Sequence, residues 1–144
     1  MSYEVVEEHA IVIQGISTRA SNAEPQKIGE LWQRFHALGD AAAIPARIAD
    51  VVYSVYCEYA GDYTAPYTVV LGCAVAPDAA VPEGLHKIVI EPGRFTVCET
   101  EGLLPQGVFD AWARIWSTSL DRRYQADYDL YATDGKVTVH VGIK

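Results

Sequence analysis

The chain has 144 residues, of which 50% are hydrophobic and 21% are charged. A chain of this length and composition can bury enough apolar surface to offset its conformational entropy, which excludes a disordered protein and predicts a single domain over residues 1–144. The formal net charge of −8 argues against direct binding to nucleic acid, because an acidic surface repels phosphate groups.

Neither a targeting segment nor a metal-binding pattern is visible. Three glutamates stand within the first eight residues, where a signal peptide would carry basic and then apolar residues. We therefore expect a cytoplasmic protein without a membrane segment. The four histidines are scattered, so we expect no metal and no cofactor. The cysteines form no Cys-x-x-Cys pair and are expected to be buried thiols: Cys57, Cys73 and Cys98.

Runs of β-branched and alternating residues predict four strands in the first half of the chain. Residues 11–16 are predicted to pair with the short stretch 3–7. Residues 51–59 and 67–75 are predicted to form a hairpin, because Gly61-Asp62 between them is typical of a turn. The second half repeats this pattern after a proline-containing break.

In the second half, two further hairpins are predicted. Residues 85–90 and 94–99 flank a Glu-Pro-Gly turn, and residues 128–131 and 137–143 flank Asp134-Gly135. An Asp-Gly pair between two alternating runs is among the strongest short-range signals for a hairpin.

One helix is predicted between the strand pairs of each half. Pro25 starts the first helix, with Ser21 or Asn22 as a candidate cap and Gly39 as its stop, and Pro105 starts the second. Residues at three- and four-residue steps define the two apolar faces: Ile28, Leu31, Trp32, Phe35 and Leu38 in the first helix, and Val108, Trp112, Ile115 and Trp116 in the second.

The same order of strand, strand, helix, strand, strand therefore occurs twice, over about residues 1–80 and 81–144. This repeat predicts an α+β fold in which one curved antiparallel sheet carries both helices on one face. A pseudo-two-fold axis would relate the two halves. The seam between them is a common place for a ligand cavity, because neither half fills it completely.

Acids and aromatic residues are placed to meet at this seam. Strand alternation puts Tyr56 on the same side as Glu58, and Tyr131 on the same side as Asp129. A buried acid requires a hydrogen bond, a proton or a cation. The alternative is that the aromatic residues are ordinary core and the acids face solvent. The candidate ligand-binding residues are Asp129, Glu58, Trp112, Trp32, Tyr56, Tyr131, Phe109 and Trp116.

Spaced motifs over nearly the whole chain carry a resemblance to a known family. They are Ile28-Gly29-Glu30-Leu31-Trp32-x-x-Phe35, Tyr53-x-Val55-Tyr56-x-Glu58-Tyr59, Tyr67-Thr68-x-x-x-Gly72, Pro92-Gly93-x-Phe95-x-Val97 before Gly102, Val108-x-x-x-Trp112-x-x-Ile115, and Arg123-x-x-x-Asp127-Tyr128-Asp129-x-Tyr131. In these motifs the chain resembles the gyrase-inhibitor-like effector-binding domains found in AraC-type regulators.

The resemblance implies a fold of two tandem strand-helix-strand-strand modules. Members of the family follow DNA-binding domains in multidrug-responsive regulators or stand alone, including proteins of mobile gene cassettes. It further implies binding of bulky aromatic, often cationic compounds, with a pocket glutamate whose position corresponds to Asp129. An aspartate keeps the charge of that glutamate but is one methylene shorter.

Three functions follow as hypotheses. The first is a small-molecule-binding module for aromatic, cationic compounds, without catalytic activity. The second, which a minority of the family suggests, is a hydrolase that opens strained cyclopropane rings. The third is a protein-binding inhibitor whose acidic surface resembles the charge of DNA.

Overall fold

The computed structural model describes residues 4–62, 64–100 and 106–144. These described residues form eight strands, two α-helices and a short 3-10 helix, which confirms the predicted α+β class. In chain order these are β1 (Glu4–Glu8), β2 (Ile11–Ala20), α1 (Gln26–Ala37), the 3-10 helix (Asp40–Ala43), β3 (Val52–Cys57), β4 (Tyr67–Val75), β5 (His86–Ile90), β6 (Gly93–Glu99), α2 (Gln106–Ser117), β7 (Ala126–Tyr131) and β8 (Val137–Ile143). Tyr3, Gly102 and Pro105, used in the predictions above, lie outside the described residues.

All eight strands form one antiparallel sheet in the order β1-β6-β8-β7-β3-β4-β2-β5. The predicted hairpins β3–β4 and β7–β8 are confirmed. The predicted pairs β1–β2 and β5–β6 are wrong, because β1 pairs with β6 and β5 pairs with β2. The first strand of each half therefore completes the sheet of the other half.

The backbone of the two links β1–β2 and β5–β6 agrees with this crossing. Each link has only two residues, His9-Ala10 and Glu91-Pro92. A two-residue hairpin requires one or both residues to adopt a positive φ. None of these four residues does so. Gly135, in the confirmed β7–β8 turn, has a φ of 89°.

A pseudo-two-fold axis passes between the central strands β3 and β7. Ser54 lies opposite Asp129 across this strand pair. One step to either side, Tyr53 faces Leu130 and Val55 faces Tyr128. Ser54 and Asp129 thus occupy equivalent positions in the two halves, and so do Tyr53 and Tyr128.

Both helices pack on the same face of the sheet. Leu31 and Phe35 of α1 pack against Leu71 of β4, whereas Trp112 of α2 packs against β8. Tyr56 of β3 contacts both groups of core residues. The opposite face holds a second buried core, contributed by residues of both halves. The three cysteines are free and buried, as predicted.

The ends of α1 follow the sequence signals in part. Gly39 has a φ of 100° directly after the last helical turn, which agrees with its predicted role as a stop. Neither predicted cap binds the helix start, which is preceded by Pro25 without a side-chain cap. The Asn22 side chain instead accepts a hydrogen bond of 2.8 Å from the Tyr67 hydroxyl. Among the described residues, no helix is long and apolar enough to cross a membrane.

A close approach of β2 and β4 leads to a stability prediction. Gly15 and Gly72 lie opposite each other, and a Cβ atom on Gly15 would lie 2.0 Å from the Leu71 carbonyl oxygen. We expect Gly15→Ala to lower the free energy of unfolding by about 3 kcal/mol, because rigid backbone cannot make room for the methyl group. Urea denaturation measures this loss. Gly29→Ala, in an open position on α1, should instead stabilise by about 0.5–1 kcal/mol. A well-tolerated Gly15→Ala would contradict the strand register.

Candidate functional site

A cavity of about 130 Å³ lies between the start of α1 and the exposed side of α2. Aromatic residues at the ends of β3 and β4 form its floor. The lining consists of Ser21, Asn22, Pro25, Ile28, Tyr56, Tyr59, Tyr67, Val108, Phe109, Trp112, Trp116 and Arg122. An apolar cavity of this size accommodates about one aromatic ring.

The aromatic rings of this cavity support one another edge to face. The ring of Tyr56 lies 5.3 Å from that of Trp112 and 5.9 Å from that of Tyr67, at angles of 75° and 77°. Such pairs are stabilising beyond the area they bury. At the mouth of the cavity, Phe109 and Trp116 remain 55% and 38% exposed. The site therefore combines a preformed aromatic floor with an open aromatic rim.

Asp129 lies directly behind this floor and is fully buried. Its Oδ2 atom accepts a hydrogen bond of 2.6 Å from the Tyr56 hydroxyl. Its Oδ1 atom accepts one of 2.8 Å from the Trp112 indole nitrogen. Burial raises the pKa of Asp129 to about 7, although both hydrogen bonds act to lower it. A carboxyl group that changes charge near neutral pH is thus attached to two residues of the cavity lining.

Asp127, two residues earlier on the same face of β7, is also fully buried. One of its oxygens accepts hydrogen bonds from the Tyr59 hydroxyl and from Arg122, the latter at 2.7 Å. The other accepts a bond of 2.8 Å from the backbone nitrogen of Gly142. The Arg122 guanidinium also lies 4.2 Å from the ring centre of Tyr124. Asp127 and Arg122 therefore form a neutral pair beside the cavity, whereas Asp129 accepts its hydrogen bonds from uncharged groups.

The family model of integron-associated effector-binding proteins, Cass2, matches residues 4–139. The chain belongs to this family. This confirms the predicted relationship to effector-binding domains. Among curated proteins, none matches the chain.

Solved structures share the fold of this family member over almost its full length. An integron cassette protein from the mobile metagenome of Vibrio cholerae superposes with a TM-score of 0.78 at 23% identity, covering 99% of this chain and 95% of that one. SAV2435, solved bound to tetraphenylphosphonium, gives 0.82 at 14% identity, covering 100% and 94%. A putative transcription regulation protein from Staphylococcus aureus MU50 gives 0.79 at 15% identity, covering 100% and 99%.

In this Cass2 member, four of the predicted residues line the cavity: Tyr56, Trp112, Phe109 and Trp116. Asp129 lies one layer behind them. Trp32 and Tyr131 do not line the cavity. They pack against each other across the pseudo-two-fold axis, with ring centres 5.0 Å apart at 70°. This contact is the counterpart of the Trp112–Tyr56 contact in the other half.

The predicted placement of Glu58 beside Tyr56 is wrong. Strand β3 ends at Cys57, and Glu58 adopts a φ of 51°, so the alternation of side chains stops before it. Its exposed carboxylate lies 3.6 Å from the imidazole of His86. Glu58 is therefore outside the cavity, whereas Asp129 contacts two aromatic residues of its lining.

Sequence reasoning missed Tyr59, Tyr67, Arg122 and Asp127 as parts of the site. The same strand alternation that selected Asp129 places Asp127 on the same face, so this residue could have been found. Arg122 carries no comparable signal, because it lies in an irregular segment before β7. In the part of the chain that the structure describes, no three His, Cys, Asp or Glu side chains gather as metal ligands.

Proposed function

We propose that this effector-binding protein binds bulky aromatic cations in the cavity between α1 and α2. The observation that carries the proposal is the buried carboxyl of Asp129 directly behind Tyr56 and Trp112. Above about pH 7 this group is a buried negative charge whose hydrogen-bond donors are neutral. A ligand cation at the aromatic floor would compensate that charge in a setting of low dielectric constant.

The aromatic lining favours the same kind of ligand. Rings that face a cation attract it by about 0.5–2 kcal/mol each. Because the cavity holds about one ring, the rest of a bulky ligand would lie at the mouth, against Phe109 and Trp116. SAV2435, which shares this fold, is described as bound to tetraphenylphosphonium, an ion with four phenyl groups around a positive centre.

Asp129→Asn should weaken binding of tetraphenylphosphonium at pH 8.5 by about tenfold, which corresponds to about 1.4 kcal/mol. The amide can still accept from the Trp112 indole nitrogen and donate to the Tyr56 hydroxyl oxygen, so mainly the charge is lost. Quenching of tryptophan fluorescence reports binding, because Trp112 and Trp116 line the cavity. Asp110→Asn, which removes an exposed carboxylate of α2 outside the lining, is the matched control.

Tetraphenylborate provides a second control, since it has nearly the same shape and the opposite charge. The wild-type protein should prefer the phosphonium ion, and the Asp129→Asn variant should lose much of that preference. Equal affinity of the wild-type protein for both ions would show that charge does not contribute. No binding of tetraphenylphosphonium up to millimolar concentration would contradict the proposed function.

The hydrolase alternative finds less support in this geometry. Water activation requires a carboxylate in contact with water in the cavity. Each oxygen of Asp129 instead accepts a hydrogen bond from Tyr56 or Trp112. For the protein-binding inhibitor, no observation beyond the acidic composition favours a partner.

A further inference from the structure

Arg122 has donors that no described residue satisfies. Its Nη2 atom binds Asp127, whereas its Nε and Nη1 atoms are buried and have no hydrogen-bond partner among the described residues. The residue is 8% exposed and belongs to the lining of the cavity. Buried guanidinium donors without an acceptor are costly, so they mark a place where a ligand atom would be stabilised.

Arg47, the equivalent arginine in the other half, shows that the fold does not itself leave the donors of this arginine without partners. Arg47 bridges to the end of β4 as Arg122 bridges to the end of β8. Its Nε atom binds the Asp50 carboxylate and its Nη1 atom binds the Ile44 carbonyl. The Arg47 side chain is 32% exposed, whereas that of Arg122 is 6% exposed. Of these two equivalent arginines, Arg122 alone has buried donors without a partner among the described residues. Arg114 and Arg123 also have such donors, but neither residue lines the cavity.

Resting on the proposed function, we infer that the preferred ligands carry a neutral hydrogen-bond acceptor, such as an amide carbonyl, which Arg122 binds. Asp127 neutralises the charge of Arg122, so the pair does not repel a cationic ligand. An anionic acceptor would add a negative charge beside Asp127 and Asp129. A neutral oxygen satisfies the guanidinium without that repulsion. Arg122 would then determine specificity, while Asp129 and the aromatic rings attract the cation.

Two probes of equal charge and similar size test this inference: (4-carbamoylphenyl)triphenylphosphonium and (4-isopropylphenyl)triphenylphosphonium. The first adds a carbonyl acceptor and the second an apolar group of similar shape. We expect the wild-type protein to bind the carbamoyl probe about tenfold more tightly, as a hydrogen bond to a charged donor would give. Isothermal titration calorimetry measures both dissociation constants.

The double variant Arg122→Gln/Asp127→Asn should lose this preference while it still binds the isopropyl probe, which also shows that it is folded. Arg47→Gln/Asp50→Asn, the same change at the equivalent position, should keep the preference. If the first double variant does not fold, Arg122→Met/Asp127→Leu serves in its place, because it replaces the ion pair by apolar side chains of similar size and leaves no donor at position 122.

Equal binding of both probes by the wild-type protein would overturn the inference and leave the proposed function intact. A preference that persists in the Arg122 variants would also overturn it. If neither probe binds, the proposed function itself fails, and the role of Arg122 fails with it.

Discussion

Replacing Asp129 by asparagine is expected to make the protein more stable above pH 8 and to change its stability little below about pH 4. Burial raises the pKa of this carboxyl from 3.8 to about 7 in the folded state. Because the pKa is higher in the folded state, protonated Asp129 stabilises the folded protein fully below about pH 4. This stabilisation is lost progressively as the pH rises to about 7. At about 1.4 kcal/mol per pKa unit, the loss amounts to about 4 kcal/mol.

Urea denaturation of the wild-type protein and the variant, at intervals from pH 4 to pH 9, measures this difference. The variant has no group that titrates at position 129, so the two stability curves should separate between about pH 4 and pH 7. Asp110→Asn, which changes an exposed carboxylate, should follow the wild-type curve. Parallel curves for wild type and Asp129→Asn would mean that the carboxyl is hydrated in the folded protein.

Arg122→Gln should lower the free energy of unfolding by about 3–5 kcal/mol, because it leaves Asp127 as a buried charge without a cation. Asp127 would keep its hydrogen bonds from Tyr59 and from the Gly142 backbone. These neutral donors compensate only part of the desolvation of a carboxylate. Chemical denaturation at pH 7 gives the loss directly.

Adding Asp127→Asn to this variant should restore much of the stability, since the uncompensated charge disappears. Arg47→Gln breaks the exposed Arg47–Asp50 pair at the equivalent position. It should cost less than about 1 kcal/mol, as is usual for surface ion pairs. If Arg122→Gln were no more harmful than Arg47→Gln, the Arg122–Asp127 pair would be hydrated rather than buried.

The positions of the secondary structure elements were largely predictable, because hydrophobic periodicity and turn residues are local properties. The helix faces and the Asp134-Gly135 hairpin follow directly from such patterns. Strand pairing is not local. β1 and β5 have the same alternation whether they pair with the next strand or cross to the other half. Only the lack of residues that favour a positive φ within their two-residue links argues against a hairpin.

The site was predictable where it depends on strand alternation and on helix faces. Tyr56, Asp129 and Trp112 follow from those patterns. The position of Glu58 was predicted wrongly because the strand ends at Cys57, where the backbone conformation changes. No residue type in this part of the sequence indicates that change. Arg122 was missed because its burial depends on packing between Tyr59, Tyr124 and Trp112. Such packing depends on the tertiary structure and cannot be read from a single segment.

The pseudo-two-fold relationship between the two halves determines how an acid can occupy the centre of this fold. A homodimer of one such half would have true two-fold symmetry, so each residue at the axis would meet its own copy. An aspartate at position 129 would then face a second aspartate, and two buried carboxylates in contact cannot both be ionised. Joining both halves in one polypeptide removes this restriction. Ser54 can then stand opposite Asp129, so that only one of the two positions at the axis carries a carboxylate.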